Sequence, residues 1–206
     1  MTIIDKKAYT NYSDFFWGRE VKICIFGAAS EHIDDIYKTE TEKLGYELAK
    51  LNHELVFGAG ASGVMGATAR GFTRGGGRIT GVIPDFFRDE GIEPIYHKCD
   101  DIIYTSTMAE RKATMEDKAD AFIIAPGGVG TFEEFFEVIT LKQLGRHNKP
   151  VVIFDINEYY ADLERFMRLS YERKFISFEI NALYDVTRTV ESTVELIQKH
   201  AVKETQ

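Results

Sequence analysis

The chain has 206 residues, 44% of them hydrophobic and 28% charged, which is enough apolar material for a sizeable core and too much for a disordered chain. Acidic residues outnumber basic ones, 33 to 25, for a formal charge of −8. That balance excludes a general binder of nucleic-acid backbones, which needs clustered lysine and arginine, but leaves open a small phosphorylated ligand held by a few local groups.

Residues 1–19 carry Tyr9, Tyr12, Phe15, Phe16 and Trp17 without periodicity and read as an N-terminal arm packed on the domain or on a second subunit. Regular patterning begins at Val21, and residues 20–200 read as one nucleotide-binding core within a single domain spanning 1–206. Val21–Phe26 is a buried strand, and Leu44, Leu48 and Leu51 mark a helix over about Asp34–Leu51. Glu54–Phe57 is the second strand, and helical spacing resumes over Val64–Phe72. Arg78–Ile83 is a third strand stopped by Pro84, and Asp101–Tyr104 a fourth, followed by a polar helix over Met108–Lys118. Ala121–Ala125 is strongly apolar, with a helix over Thr131–Leu144 after it. Pro150–Phe154, a helix over Tyr159–Arg173, a last strand at Leu183–Val186 and a last helix at Thr189–His200 complete the reading. Short apolar runs alternating with helices predict an α/β, Rossmann-like domain, a mostly parallel sheet with helices on both faces. Such sheets bind ligands at the carboxyl ends of their strands.

Cys24 and Cys99 are the only cysteines and form no C-x-x-C pair, so a reduced, cytoplasmic setting is expected. No apolar run reaches membrane-spanning length and the start lacks a secretory pattern, so no membrane partner is expected. His32, His53, His97, His147 and His200 show no metal-ligand spacing, and there is no G-x-S-x-G elbow.

The 17 glycines are unevenly placed: nine lie between Gly58 and Gly81, and three more are Gly127, Gly128 and Gly130. Pro126–Glu134 reads P-G-G-V-G-T-F-E-E after a strand and at a helix start. Unpaired backbone N–H groups and the helix dipole suit a phosphate there, with the Thr131 hydroxyl as a further donor. Thr131-x-x-Glu134 is also a capping box that would merely finish the helix, but capping needs none of the three glycines. Gly58–Gly66 fits the loose pattern G-x-G-x-x-G yet lacks the acidic ribose ligand about 20 residues on, so it is poor evidence for NAD and better read as a close-approach turn beside the other cluster. Arg111, in Met108–Lys112, is a fixed cationic fork suited to a phosphate or a carboxylate, although an isolated Arg-Lys pair is more often a solvated helix face.

Together, P-G-G-x-G-T-x-x-E at Pro126–Glu134, M-x-x-R-K at Met108–Lys112 and the glycine-rich segment Gly58–Gly66 resemble the LOG ("lonely guy") family of cytokinin-activating phosphoribohydrolases, often mislabelled as lysine decarboxylases. The resemblance runs on through Gly81–Pro84, Gln143–Gly145 and Lys149–Val151, and so spans roughly residues 21–170. Ala59, Val129 and Leu141 depart from the family pattern, at positions that bear on the choice of base. It implies hydrolysis of the N-glycosidic bond of a nucleoside 5′-monophosphate, either a cytokinin riboside monophosphate or an AMP-like nucleotide. It assigns catalysis to Arg111 and Glu134 and phosphate binding to Gly128, Gly130 and Thr131. Met108, Lys112, Gly127, Gly60 and Gly63 are further substrate-binding candidates. No cofactor or metal is implied, and a homodimer is.

The chemistry fits these residue types. Breaking a ribosyl–base bond passes through an oxocarbenium-like state that a carboxylate stabilises. Glu134, at the start of its helix, is expected to stay ionised, and Glu133 is the competing carboxylate. A binding module that does not turn over is the rival reading, though simple binding has no need of a carboxylate beside an anion. A pyridoxal-phosphate decarboxylase would need a Schiff-base lysine, and Lys112 is the only lysine in the motifs.

Overall fold

The computed structural model describes residues 20–177 and 179–203. The predicted arm, residues 1–19, lies outside the described residues. Among those described, seven strands alternate with eight α-helices. The strands are β1 Lys22–Phe26, β2 Glu54–Phe57, β3 Ile79–Pro84, β4 Asp101–Thr105, β5 Ala121–Ile124, β6 Val151–Phe154 and β7 Asp185–Thr187. The helices are α1 Asp35–Lys50, α2 Gly63–Gly75, α3 Asp85–Glu90, α4 Met108–Lys118, α5 Val129–Gln143, α6 Ala161–Glu172, α7 Ile180–Leu183 and α8 Val190–Lys203.

The strands form one parallel sheet in the order β4-β3-β2-β1-β5-β6-β7. From β1 the chain builds outward through β2 and β3 to β4, then crosses back to lay β5 on the other side of β1. The carboxyl ends of β1 and β5 therefore flank the point where strand order reverses, the place where such sheets leave a binding crevice.

The period-two geometry of a strand divides the core into two layers. Ile23, Ile25, Phe57 and Ile123 join Leu44 and Leu48 of α1, Phe72 of α2 and Ile197 of α8. Cys24, Phe26, Val56, Phe122 and Ile124 join Met115 of α4, Phe135 and Val138 of α5 and Met167 of α6 on the other face. Both faces are thus covered, as the near-continuous apolar strands predict. Gly71 of the first glycine-rich window and Gly45 of α1 serve this packing: a Cβ on Gly45 would lie 2.6 Å from the Thr68 carbonyl oxygen and one on Gly71 2.2 Å from that of Glu42, so α1 and α2 meet almost backbone to backbone.

Three local expectations are corrected. Leu183 and Tyr184 do not start the last strand: Leu183 ends α7, and β7 begins at Asp185 and pairs with Val152–Phe154. Pro84 closes β3 and is also followed at once by α3, whose residues bury no apolar stripe and so left no periodic signal. The helix expected from Tyr159 begins at Ala161, because a 3-10 turn at Ile156–Glu158 precedes it, with Asn157 and Glu158 both at positive φ. Among the described residues, no helix is long and apolar enough to cross a membrane.

Candidate active site

The β5–α5 turn is built around carbonyl groups held into the protein. The Tyr160 hydroxyl donates to the Ala125 carbonyl at 2.8 Å, the Ala28 N–H to that of Pro126 at 3.0 Å, and the Tyr159 hydroxyl to that of Gly127 at 2.6 Å. Because a trans peptide sets its C=O and N–H in opposite directions, pinning the Gly127 carbonyl turns the Gly128 N–H the other way. A Cβ on Gly128 or Gly130 would meet none of the described residues within 4 Å, so among these the space over the helix start is open. Gly128 is the N-cap of α5, and among the described residues no side chain caps the helix. Thr131 is consequently the third residue of the helix and caps nothing, which removes the capping-box reading. It is 4% exposed and turned onto Gly127, where a Cβ would lie 2.1 Å from the Thr131 Oγ1. An uncapped helix start with outward N–H groups is a ready anion cradle.

The other glycine turn is differently occupied. Gly63 opens α2 at φ +58°, and its N–H donates to the Glu31 carboxylate at 2.9 Å, a bond that holds Glu31 below the usual carboxylate range. The protein's own anion therefore fills this helix start. Ala28 joins the two turns, since its N–H serves Pro126 and its carbonyl accepts from Met65 at 3.2 Å. Residues 94–96 lie across Gly60 through a Gly60–Ile95 bridge, with the Ala61 N–H on the Pro94 carbonyl and the Tyr96 N–H on that of Ala59, both at 2.8 Å. Ala59, where the family pattern has glycine, holds φ +62°, the left-handed backbone that glycine adopts most easily.

Between the turns stands Arg111 on α4. Thr107 caps that helix, accepting from the Glu110 N–H at 3.1 Å, and Arg111 projects inward to 7% exposure. Its Nε donates to the Val82 carbonyl at 3.1 Å, and its Nη1 lies 3.7 Å from the Glu134 Oε1. A Cβ on Gly58 would fall 1.8 Å from the Arg111 Nη2, so this glycine is what admits the guanidinium. Glu133, the competing carboxylate, points outward to Lys112 and is 55% exposed. Lys112 also pairs with Glu137 at 2.7 Å; two carboxylates raise its pKa and hold its charge on the outer side. Met108 sits at the exposed start of α4. The fold thus sets Gly128, Gly130, Thr131 and Glu134 at the start of α5 and brings Arg111 beside Glu134. It commits the Gly63 N–H to Glu31 and the Lys112 ammonium to Glu133 and Glu137.

The expectation that the helix terminus keeps Glu134 ionised is corrected. Because α5 starts at Val129, Glu134 lies in the second turn, beyond the reach of the dipole. Burial pushes its carboxyl up to about 7, outweighing the opposing pull of Arg111 at a distance too long for a tight ion pair. A carboxyl poised near neutrality both accepts and donates a proton. Sequence reasoning missed Tyr159, Glu31 and also Glu93, whose Oε1 a Cβ on Gly60 would approach to 2.1 Å. The paired Tyr159-Tyr160 was visible as a dipeptide, but neither glutamate lies in a motif.

A protein-family model described as "Possible lysine decarboxylase" matches residues 65–197. A cytokinin riboside 5′-monophosphate phosphoribohydrolase of Arabidopsis thaliana is 33% identical over 182 residues, covering 88% of this chain and 84% of that protein. One of Rhodococcoides fascians is 36% identical over 162 residues, covering 79% and 81%. Among solved structures, the molybdenum cofactor binding protein of Rippkaea orientalis superposes with a TM-score of 0.67 at 21% identity, covering 88% of this chain and 97% of that one, a likeness of fold alone. With both crevice turns, Arg111 and Glu134 in place and relatives of this similarity along most of its length, the chain belongs to the LOG family of cytokinin riboside 5′-monophosphate phosphoribohydrolases, the family whose model carries the lysine decarboxylase description.

Proposed function

We propose that the protein hydrolyses the N-glycosidic bond of a nucleoside 5′-monophosphate, a cytokinin riboside monophosphate or an AMP-like nucleotide, to free base and ribose 5-phosphate. The observation that carries this reading is a buried Arg111–Glu134 pair beside an uncapped helix start. The phosphate sits on the backbone N–H groups of Gly128 and Gly130 and on the Thr131 hydroxyl, and the ribose lies toward Glu134. The C1′–N bond breaks with its electron pair going to the base, and the water oxygen bonds to C1′. Glu134 takes the proton that water loses, and a proton passes to the base nitrogen, so water is the only co-reactant. Glu134 also faces the positive charge that develops on the sugar, and Arg111 orients Glu134 and the substrate.

A decarboxylase reading fits these residues poorly. A Schiff-base lysine must present a neutral amine, and Lys112 is held as an ammonium between Glu133 and Glu137. The nucleotide is the small-molecule partner of this reading, which also includes a homodimer and a cytoplasmic location. Sedimentation at the mass of one chain would overturn the dimer.

The test is to incubate the protein with AMP and with isopentenyladenosine monophosphate and to follow free base by chromatography. Base and ribose 5-phosphate should appear in equal amounts. Nucleotide binding without base release from any nucleoside monophosphate would overturn the hydrolase in favour of a binding module.

A further inference from the structure

Arg111 and Lys112 are consecutive on α4, and they meet Glu134 and Glu133, which are consecutive on α5. The inner of these two links is loose: the Arg111 Nη1 stands 3.7 Å from the Glu134 Oε1, with both side chains buried. The outer link is tight. The Lys112 Nζ is held against the Glu133 Oε1 and lies 2.7 Å from the Glu137 Oε2. Glu133 and Glu137 are neighbours one helical turn apart, so a single ammonium clasps α5 on either side of Glu134. Among the described residues, every ion pair between α4 and α5 runs through Arg111 or Lys112. The inner pair is too long to fix its own separation, and that task falls to the outer one. The same ammonium shapes the charge around Glu134. Arg111 and Lys112 face it from α4 and favour its carboxylate, Glu133 and Glu137 on its own helix disfavour it, and burial keeps the Cys24 thiol on β1 neutral. Glu116, one turn after Lys112, is pushed up to about 7 by burial and by Glu137, against the pull of Lys112 and Lys149.

We propose that Lys112 is a positioning residue for the hydrolysis: by clasping Glu133 and Glu137 it holds Glu134 at its distance from Arg111 and offsets the two negative charges that flank that carboxylate. This rests on the hydrolase reading above, in which ionised Glu134 takes a proton from water. Direct binding of the phosphate is the competing role for Lys112, and an ammonium already shared by two carboxylates is poorly placed for it. A positioning role acts on turnover and its pH dependence and leaves substrate binding at the start of α5 alone. The signs are opposite for the two partners. Without the ammonium, Glu133 and Glu137 act on Glu134 uncompensated, and its carboxylate forms at higher pH. Without the Glu133 charge, it forms at lower pH.

The test measures kcat and KM for AMP from about pH 5 to about pH 9 in the wild type, Lys112→Met, Lys112→Arg and Glu133→Gln. Lys112→Met should move the rising limb of kcat/KM up by about one pH unit and lower the plateau kcat about tenfold, with KM at the plateau kept within about twofold. Lys112→Arg keeps the charge and should return the limb to its wild-type position. Glu133→Gln, at a side chain 55% exposed, should move the limb the other way, toward lower pH. A raised KM in Lys112→Met with its limb unmoved overturns the proposal and gives Lys112 to the phosphate. A fall in kcat with neither limb displaced overturns it too, because a loosened helix contact alone removes no charge from Glu134. Should Lys112→Met not fold, Glu133→Gln decides the matter, and a limb that stays or moves up refutes the proposal. Failure of the wild type to hydrolyse any nucleoside monophosphate overturns the hydrolase reading itself, and this proposal with it.

Discussion

Glu134 takes its chemistry from burial, and its pH behaviour follows from that. The carboxylate form is the one that accepts a proton from water, so kcat/KM should rise with pH through about 7 and level off above it. Glu134→Gln should lower kcat by about 100-fold or more and remove this limb of the profile. Stability moves the other way. The folded-state pKa is raised, so the contribution of Glu134 is fully present below the usual carboxylate value near 4.5 and is lost as pH rises to about 7. Glu134→Gln should therefore raise the melting temperature at pH 8 more than at pH 5, and an equal shift at both would refute the burial argument. Gly58 is the second residue whose role is local. In Gly58→Ala the new methyl collides with the end of the Arg111 side chain and with no backbone, so the fold should survive. The displaced guanidinium should cost kcat about 100-fold, as a misplacement of about 1 Å does. A fully active Gly58→Ala would show that Arg111 has no fixed position to lose.

Two helix starts that look alike in sequence differ in what occupies them. Both follow a strand and a glycine turn, yet α2 receives Glu31 and α5 receives no side chain from the described residues. Under the proposed function, Gly130 serves the phosphate at the expense of helix stability. Its Cβ position is open, so Gly130→Ala should stabilise the protein by about 0.5–1 kcal/mol, the usual difference between the two residues inside a helix. The same methyl stands where the proposed function puts the phosphate and should raise KM for AMP roughly tenfold. Thermal melts and initial rates on one preparation check both halves, and a gain in stability with KM unchanged would move the phosphate away from α5. The supports of the α5 turn come from β6 and beyond: Asp155, 1% exposed, accepts from the Tyr160 N–H at 2.8 Å and is paired with Arg188 at 3.3 Å. The strained Asn157-Glu158 turn then delivers both tyrosine hydroxyls to the β5–α5 carbonyls.

At the scale of the whole molecule, a charge of −8 meets a substrate that is also an anion. Association is not steered by the overall field, so kcat/KM for AMP should stay level or rise as salt increases to about 0.15 M, where the screening length is about 8 Å. A steep fall with salt would mean that a cationic surface guides the nucleotide. The composition and the order of apolar runs sufficed for the parallel sheet covered on both faces, because a strand buried on both sides leaves a continuous apolar run and each crossover helix its own spacing. The family resemblance named Arg111 and Glu134, which the fold sets 3.7 Å apart, and α4 runs from Met108 to Lys118 as its pattern predicts. Contacts between distant segments were not legible. Leu183 looked like strand but lies on α7, and Glu93 reaches Gly60 only because residues 94–96 pair with residues 59–61, a link that no local pattern encodes. The pKa of Glu134, the capture of Gly63 by Glu31 and the pairing of Lys112 were decided in the same way. Which residues can carry charge is a property of the chain; whether that charge is buried, neutralised or left free for a ligand depends on what the fold brings within a few ångströms of it.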